Sequence, residues 1–274
     1  MNLKRAFLIT TAAMMLPGMA LAQVADARFV VTKDFDDDNT TSINVMITCN
    51  TGVPLSQSAD ITEASGVGFV VTSFDSAVGS CTITEDGEAG YTGSYVANGG
   101  AASATSCVID ESNWIADADQ TCEITNSATP VDVSITKVWN MEGAGGNEVD
   151  MDSTFYITSE GSITGGSPCM SGPADGHLSC AMLSFSGEGT QSVAVTPAVG
   201  GTDVYIAEMN QDSAVEVSSD CGGMVSVAPG DAAASCTYTN TVFFEGIPTL
   251  NQYGMAILVL LMLGVGFVGF RRFA

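Results

Sequence analysis

Basic side chains are scarce in this sequence. Its 274 residues hold seven Lys and Arg against 31 Asp and Glu, with one histidine, His177. A formal charge of −24 repels phosphate backbones, so no nucleic-acid partner is expected. One histidine, in the Pro/Gly-rich loop from Ser167 to Ser179, is a poor basis for Ser/His/Asp catalysis, and no Gly-x-Ser-x-Gly elbow occurs. Cys-x-x-Cys is also missing, which leaves zinc and thioredoxin-like chemistry little support. Asp34, Asp36, Asp37 and Asp38 cluster, but without the glycine of an EF-hand loop; they read as a solvated turn. No carboxylate pair is marked for glycoside hydrolysis. The expectation is a chain that is not an enzyme and holds no metal or cofactor. Helical periodicity is absent outside the two chain ends, which excludes an α-rich domain.

The two ends are the apolar parts. Lys4-Arg5 precedes a mostly apolar stretch from Ala6 to Met19. Ala20-Leu21-Ala22 then supplies a small-x-small cleavage site, so residues 1–22 read as a secretory signal peptide and Gln23 as the mature start. Signal peptidase is the implied partner. At the other end, Gly254 to Phe270 is an uncharged run of about 17 residues, at the short end of a bilayer span. Tyr253 and Phe270 edge it, and Arg271-Arg272 follow, which places the C-terminus in the cytoplasm. Pro248, just before the span, breaks helix and strand and leaves an extended, accessible segment.

All the acidic residues lie between these ends, against only Arg28, Lys33 and Lys137. All eight cysteines lie there too. An even count in an exported chain points to disulfides. Many pairings are open to eight cysteines; the local pattern favours Cys49–Cys81, Cys107–Cys122, Cys169–Cys180 and Cys221–Cys236. The remaining signal is β throughout. Runs at 28–33, 42–48, 68–72, 80–85, 121–125 and 131–138 alternate polar and apolar residues between Gly, Asn, Asp and Ser breaks. Short strands at this spacing predict sandwiches. Trp114 reads as exposed and able to stack on a sugar; Trp139, on a strand, reads as core.

The β region also repeats itself. Val30-Val31-Thr32-Lys33 opens the first copy and Ser134-Ile135-Thr136-Lys137 the second. Cys81-Thr82-Ile83-Thr84-Glu85 has its counterpart in Val204-Tyr205-Ile206-Ala207-Glu208. Cys122-Glu123-Ile124-Thr125-Asn126 closes the first copy and Cys236-Thr237-Tyr238-Thr239-Asn240 the second. The expected fold class is therefore all-β: two tandem Ig-like or prealbumin-like β-sandwiches, disulfide-stapled, at 23–127 and 131–244. A linker at 128–130 has almost no slack and predicts a stiff rod. The sandwiches are flanked by the signal peptide and by a C-terminal tail at 247–274, transmembrane over 254–270.

Two family resemblances follow from these motifs. Ile247-Pro248-Thr249-Leu250, then Gln252-Tyr253-Gly254, an apolar helix and Arg271-Arg272 resemble the IPTL-CTERM protein-sorting tails, with Tyr253 where the family usually has Trp. That resemblance implies a Gram-negative bacterium and an exosortase-type membrane transpeptidase or protease as partner. The chain would be held in the inner membrane, cut near Pro248-Thr249, and passed to the cell surface or extracellular matrix. The repeats resemble Cna-B/SpaA-type prealbumin-like domains of bacterial surface proteins. Here the signature is a first strand ending Thr-Lys, a middle strand ending in Glu with Gly90-Tyr91 after it, and a last strand ending Thr-Asn. Some members form an isopeptide bond between that Lys and that Asn. By position the triads are Lys33, Glu85, Asn126 and Lys137, Glu208, Asn240; Gly-Tyr is missing after Glu208. The other reading of the same residues is a solvated strand-end Lys, a turn Glu and a turn-forming Asn. The implied function is a structural surface or matrix protein; the alternative is a surface binding module, for polysaccharide, cation or host ligand, on the same scaffold.

Overall fold

A computed structural model describes residues 24–142, 151–170, 177–209, 215–243, 257 and 259–263. Two compact units divide the chain: the first ends at Ser127, and the second begins at Ala128 and also takes in Ala89–Tyr91.

The first unit contains β1 (Val24–Phe35), β2 (Ile43–Cys49), β3 (Ser56–Ile61), β4 (Gly66–Asp75), β5 (Cys81–Glu85), β6 (Tyr91–Ala97), β7 (Ala102–Ser103), β8 (Cys107–Ile109) and β9 (Gln120–Ala128). They form two sheets, ordered β4-β1-β9-β6-β7 and β3-β2-β5-β8. The second unit contains β10 (Val131–Glu142), β11 (Asp152–Ser159), β12 (Ser162–Thr164), β13 (Ser179–Ser186), β14 (Gly189–Thr196), β15 (Thr202–Met209), β16 (Val215–Ser219), β17 (Met224–Val227) and β18 (Ala234–Phe243). Its sheets run β12-β14-β10-β18-β16 and β13-β11-β15-β17. The two units share a plan. In each, the first and last strands lie side by side and parallel, β1 on β9 and β10 on β18. The rest of the unit is the crossover that parallel neighbours require.

Period-two alternation builds both cores. Along β1, Ala27, Phe29, Val31, Lys33 and Phe35 point inward, while Arg28, Thr32 and Asp34 face solvent. Phe29 meets Phe74 edge-on at 5.8 Å. In the second unit Phe155 meets Phe185 and Tyr238 edge-on at 5.3 and 4.8 Å. Edge-to-face pairs of this kind stabilise beyond their buried area. Disulfides join Cys49 to Cys81, Cys107 to Cys122, Cys169 to Cys180 and Cys221 to Cys236. Cys49–Cys81 links directly opposed residues of β2 and β5. Cys107–Cys122 crosses the core, from β8 in one sheet to β9 in the other.

The acidic cluster after β1 falls in a turn at Asp36–Asp37, with Asp38 in the left-handed region. Ile257 and residues 259–263 are helical, and no helix among the described residues is long and apolar enough to cross a membrane. The signal-cleavage residues Ala20, Ala22 and Gln23 lie outside the described residues. So do the sorting-motif residues Ile247, Pro248, Thr249, Leu250, Tyr253, Gly254, Arg271 and Arg272.

Candidate intramolecular cross-link sites

Inward-pointing charge is the anomaly of both cores. Lys33 and Lys137 occupy core-facing positions and are 2% and 1% exposed. Burial of this degree rules out the solvated strand-end reading of the two lysines. Asn126 and Asn240 are buried as well, which removes the turn-former reading for both.

The parallel register brings Lys and Asn together. Lys33 pairs with Ile124 and Phe35 with Asn126, so Asn126 lies one inward step beyond Lys33 on the neighbouring strand. Lys137 pairs with Tyr238 and Trp139 with Asn240, the same offset. Diagonal neighbours on one face of a sheet are within reach of long side chains. The carboxylate arrives from the opposite sheet: Glu85 ends β5 and Glu208 lies near the end of β15. Each triad thus joins three strands and both layers of its sandwich.

In the second unit the contacts close. Lys137 Nζ lies 3.1 Å from Glu208 Oε1 and donates a hydrogen bond to Oε2 at 3.3 Å. Asn240 Nδ2 donates to Glu208 Oε1 at 2.9 Å. The lysine and amide nitrogens share one oxygen, so they lie within 6.0 Å of each other, the sum of the two distances to it. Lys137 Nζ also sits 4.3 Å above the Trp139 ring, an arrangement that favours the cation. Trp139 is half-buried and packs over the site, not in the centre of the core.

The first unit repeats the lysine's contacts with the carboxylate and the ring. Lys33 Nζ lies 3.5 Å from Glu85 Oε2 and 4.1 Å above the Phe35 ring. Asn126 Oδ1 is buried with no hydrogen-bond partner among the described residues. A buried carbonyl without a donor is costly.

Burial pushes both lysine amines below their ordinary 10.5; the adjacent Glu85 and Glu208 oppose this only in part. The neutral amine is the nucleophilic form, so the environment favours it. Two further groups shape the first site. Burial raises the Tyr95 hydroxyl, with the Glu85 charge adding to it. A Cβ at Gly93 would stand 3.1 Å from Glu85 Oε1, so this glycine leaves the space the carboxylate occupies. The sequence reading passed over both; a glycine two residues before an inward tyrosine in β6 was the available signal.

The remaining named residues lie elsewhere. His177 packs edge-on against Tyr205 at 4.8 Å, away from either triad. Trp114 is half-buried, not exposed as expected, and stacks on Phe74 at 5.2 Å.

No family model matches this chain, and no curated protein matches it. Among solved structures it is similar to a major pilin protein of Streptococcus pyogenes, at 11% identity over 81% of this chain and 98% of that one, TM-score 0.32. It is similar to the TIE protein of Bacillus anthracis at 11% identity, over 80% of this chain and 34% of that one, TM-score 0.43. A single B repeat unit of the collagen binding surface protein of Staphylococcus aureus aligns at 14% identity, over 81% of this chain and all of that one, TM-score 0.26. Likeness at these TM-scores carries no weight for function, which has to come from the residues of this chain.

Proposed function

We propose that this is an exported structural protein of the cell surface or extracellular matrix, in which each unit closes its own isopeptide bond. The observation that carries the reading is the duplicated triad: a buried Lys facing a Glu from the other sheet and an Asn on the adjacent parallel strand. The reaction needs no outside reagent. Unprotonated Lys Nζ attacks Asn Cγ, and the carboxylic acid form of the Glu donates its proton as the carboxamide is polarised. The C–N bond to Nδ2 then breaks, a proton from the former amine passes through the carboxylate, and ammonia leaves. One amide replaces another, so nothing is oxidised or reduced. Four disulfides fit an oxidising compartment outside the cytoplasm.

Intact mass of the purified chain tests this. The expected mass is that of the chain with its disulfides formed, less two molecules of ammonia. Peptide mapping should join Lys33 to Asn126 and Lys137 to Asn240. A mass that retains both ammonias refutes the cross-links.

The routing belongs to the same proposal. The signal peptide delivers the chain to the inner membrane, the IPTL-CTERM-like tail holds it there, and an exosortase-type enzyme cuts near Pro248-Thr249. The C-terminal residue of the mature surface form is the measurement. A surface form that keeps its apolar tail overturns this route and leaves a simple anchor.

A further inference from the structure

The first unit carries a cleft at the edge of its core, lined by none of the three triad residues. It has a volume of about 360 Å³ and lies between the start of β1 and the loop from Trp114 to Asp119. That is within the usual size of a small-molecule site. Trp114, backed by the buried Phe74, gives it an aromatic wall. Asp26, Arg28, Asp117 and Asp119 give it polar groups.

The aromatic wall is held in place from both sides. Asn113, just before Trp114, accepts through its backbone carbonyl from Asn98 Nδ2 at 2.9 Å, and its own Nδ2 donates to the Val108 carbonyl at 2.8 Å. Just after Trp114, the Ile115 N–H donates to Gln120 Oε1 at 3.0 Å. Gln120 Nε2 donates to the Ile115 and Ala118 carbonyls at 2.7 and 2.9 Å. Gln120 is 0% exposed. The loop therefore has a fixed shape, with Asp117 at φ 58°, a left-handed value that Asp tolerates better than most residues. The second unit shows that the fold does not demand this loop. Cys107–Cys122 and Cys221–Cys236 span the same separation of 15, yet the second span forms β17 and contains no aromatic residue.

The polar groups select the ligand. Arg28 Nη1 and Asp119 Oδ2 pair at 2.7 Å, with both side chains about half exposed. That pair offers donors and acceptors next to each other. Asp26 and Asp117 add acceptors whose charge no basic group of the cleft balances. An anionic ligand is repelled. A simple ammonium could only donate, leaving the guanidinium donors unused and facing a like charge. A neutral pyranose fits all of it: hydroxyls donate to the carboxylates and accept from Arg28, and its C–H face covers the aromatic wall. We propose that this cleft binds a neutral hexopyranose unit of a polysaccharide. The assignment is independent of the isopeptide bonds.

The test uses the whole chain in a sugar-free detergent, titrated by calorimetry with tetrasaccharides of glucose, mannose, galactose and N-acetylglucosamine. Tetragalacturonate and tetralysine serve as the anionic and cationic comparisons. At least one neutral tetrasaccharide should bind saturably at millimolar concentration or tighter. Asp117→Asn keeps a residue that tolerates the left-handed backbone and should weaken binding about tenfold, one lost charge-assisted contact. Trp114→Leu should abolish it while the second unit's melting transition stays unchanged. The proposal is overturned if no neutral tetrasaccharide saturates, if tetragalacturonate or tetralysine binds in their place, or if both variants bind as the parent does.

Discussion

Glu208→Ala isolates the buried charge pair of the second unit, provided that it is compared with Asn240→Ala. Neither variant can form the Lys137–Asn240 bond, so each should retain one ammonia that the parent loses. They differ in that Asn240→Ala keeps the Lys137–Glu208 pair and Glu208→Ala destroys it. Both partners have side chains almost wholly shielded from solvent, 0% and 2% exposed. Removing one member of such a pair costs about 3–5 kcal/mol. The Trp139 ring, 4.3 Å from the ammonium, is common to both variants and cancels from their difference. The lysine can shed its proton, and bringing a group of ordinary pKa 10.5 to neutrality at pH 7 caps the loss at about 5 kcal/mol. The net is about 3–5 kcal/mol, or about 12 °C or more in Tm for a domain of this size. Burial lowers the Lys137 pKa in the folded state, so the unfolded chain binds more protons between that lowered value and 10.5, and stability rises with pH across this window. The rise should be steeper in Glu208→Ala, which lacks the carboxylate that favours the charged form. Differential scanning calorimetry from pH 7 to 10 reads both effects. Midpoints within about 2 °C of each other, with no pH slope in Glu208→Ala, would refute both the lowered Lys137 pKa and the cost of removing its carboxylate.

Two further outcomes test the scaffold. Replacing Cys107 and Cys122 together by Ala opens a loop of separation 15 and should cost about 3 kcal/mol of first-unit stability, read as a drop in that unit's denaturant midpoint alone. Gln120→Leu removes the hydrogen bonds that pin both sides of the loop's end; at about 1 kcal/mol for each net bond it should destabilise the first unit and shift Trp114 emission to the red, while leaving the ammonia loss at Lys33 intact.

The sandwich plan was readable because its strands alternate. Phe29, Val31, Lys33 and Phe35 share one parity, and the structure turns that whole set inward. What alternation does not encode is where a strand stops being covered, and for that reason a solvated Lys33 stood as a rival until its burial was seen. The repeat supplied the triads because both copies keep the same residue types at the same points. Parallel pairing, and the inward step that sets Asn126 beyond Lys33, depend on how two layers close and leave no local trace. The cleft was harder still. Trp114 was read as exposed because nothing adjacent in sequence covers it; Phe74 does so from another strand. Gln120 was passed over because a polar residue that satisfies a loop's backbone has no period to betray it.

The placement of the triads gives them a mechanical meaning. A pull applied through the chain enters the first unit at the N-terminal end of β1 and leaves at the C-terminal end of β9. Because the two strands are adjacent and parallel, that pull shears their ladder and loads its hydrogen bonds together. Lys33 and Asn126 lie toward the far ends of their strands, near where β1 finishes and β9 leaves the unit. A covalent bond between them carries the load from β1 straight into the exit of β9. Residues 34–125, with Cys49–Cys81 and Cys107–Cys122, then fall outside the path. Lys137 and Asn240 divide β10 and β18 in the same way. The disulfides cannot do this, since Cys49–Cys81 and Cys107–Cys122 both lie within the bypassed segment. The two kinds of cross-link would therefore not be redundant: disulfides hold each fold together, whereas the proposed isopeptide bond would keep tension off it. Single-molecule extension distinguishes them. The parent unit should stretch only by its short ends, and Asn126→Ala should release the chain between its remaining disulfides at the force that shears β1 from β9. A parent that extends as far as Asn126→Ala would show that the load runs through the fold after all.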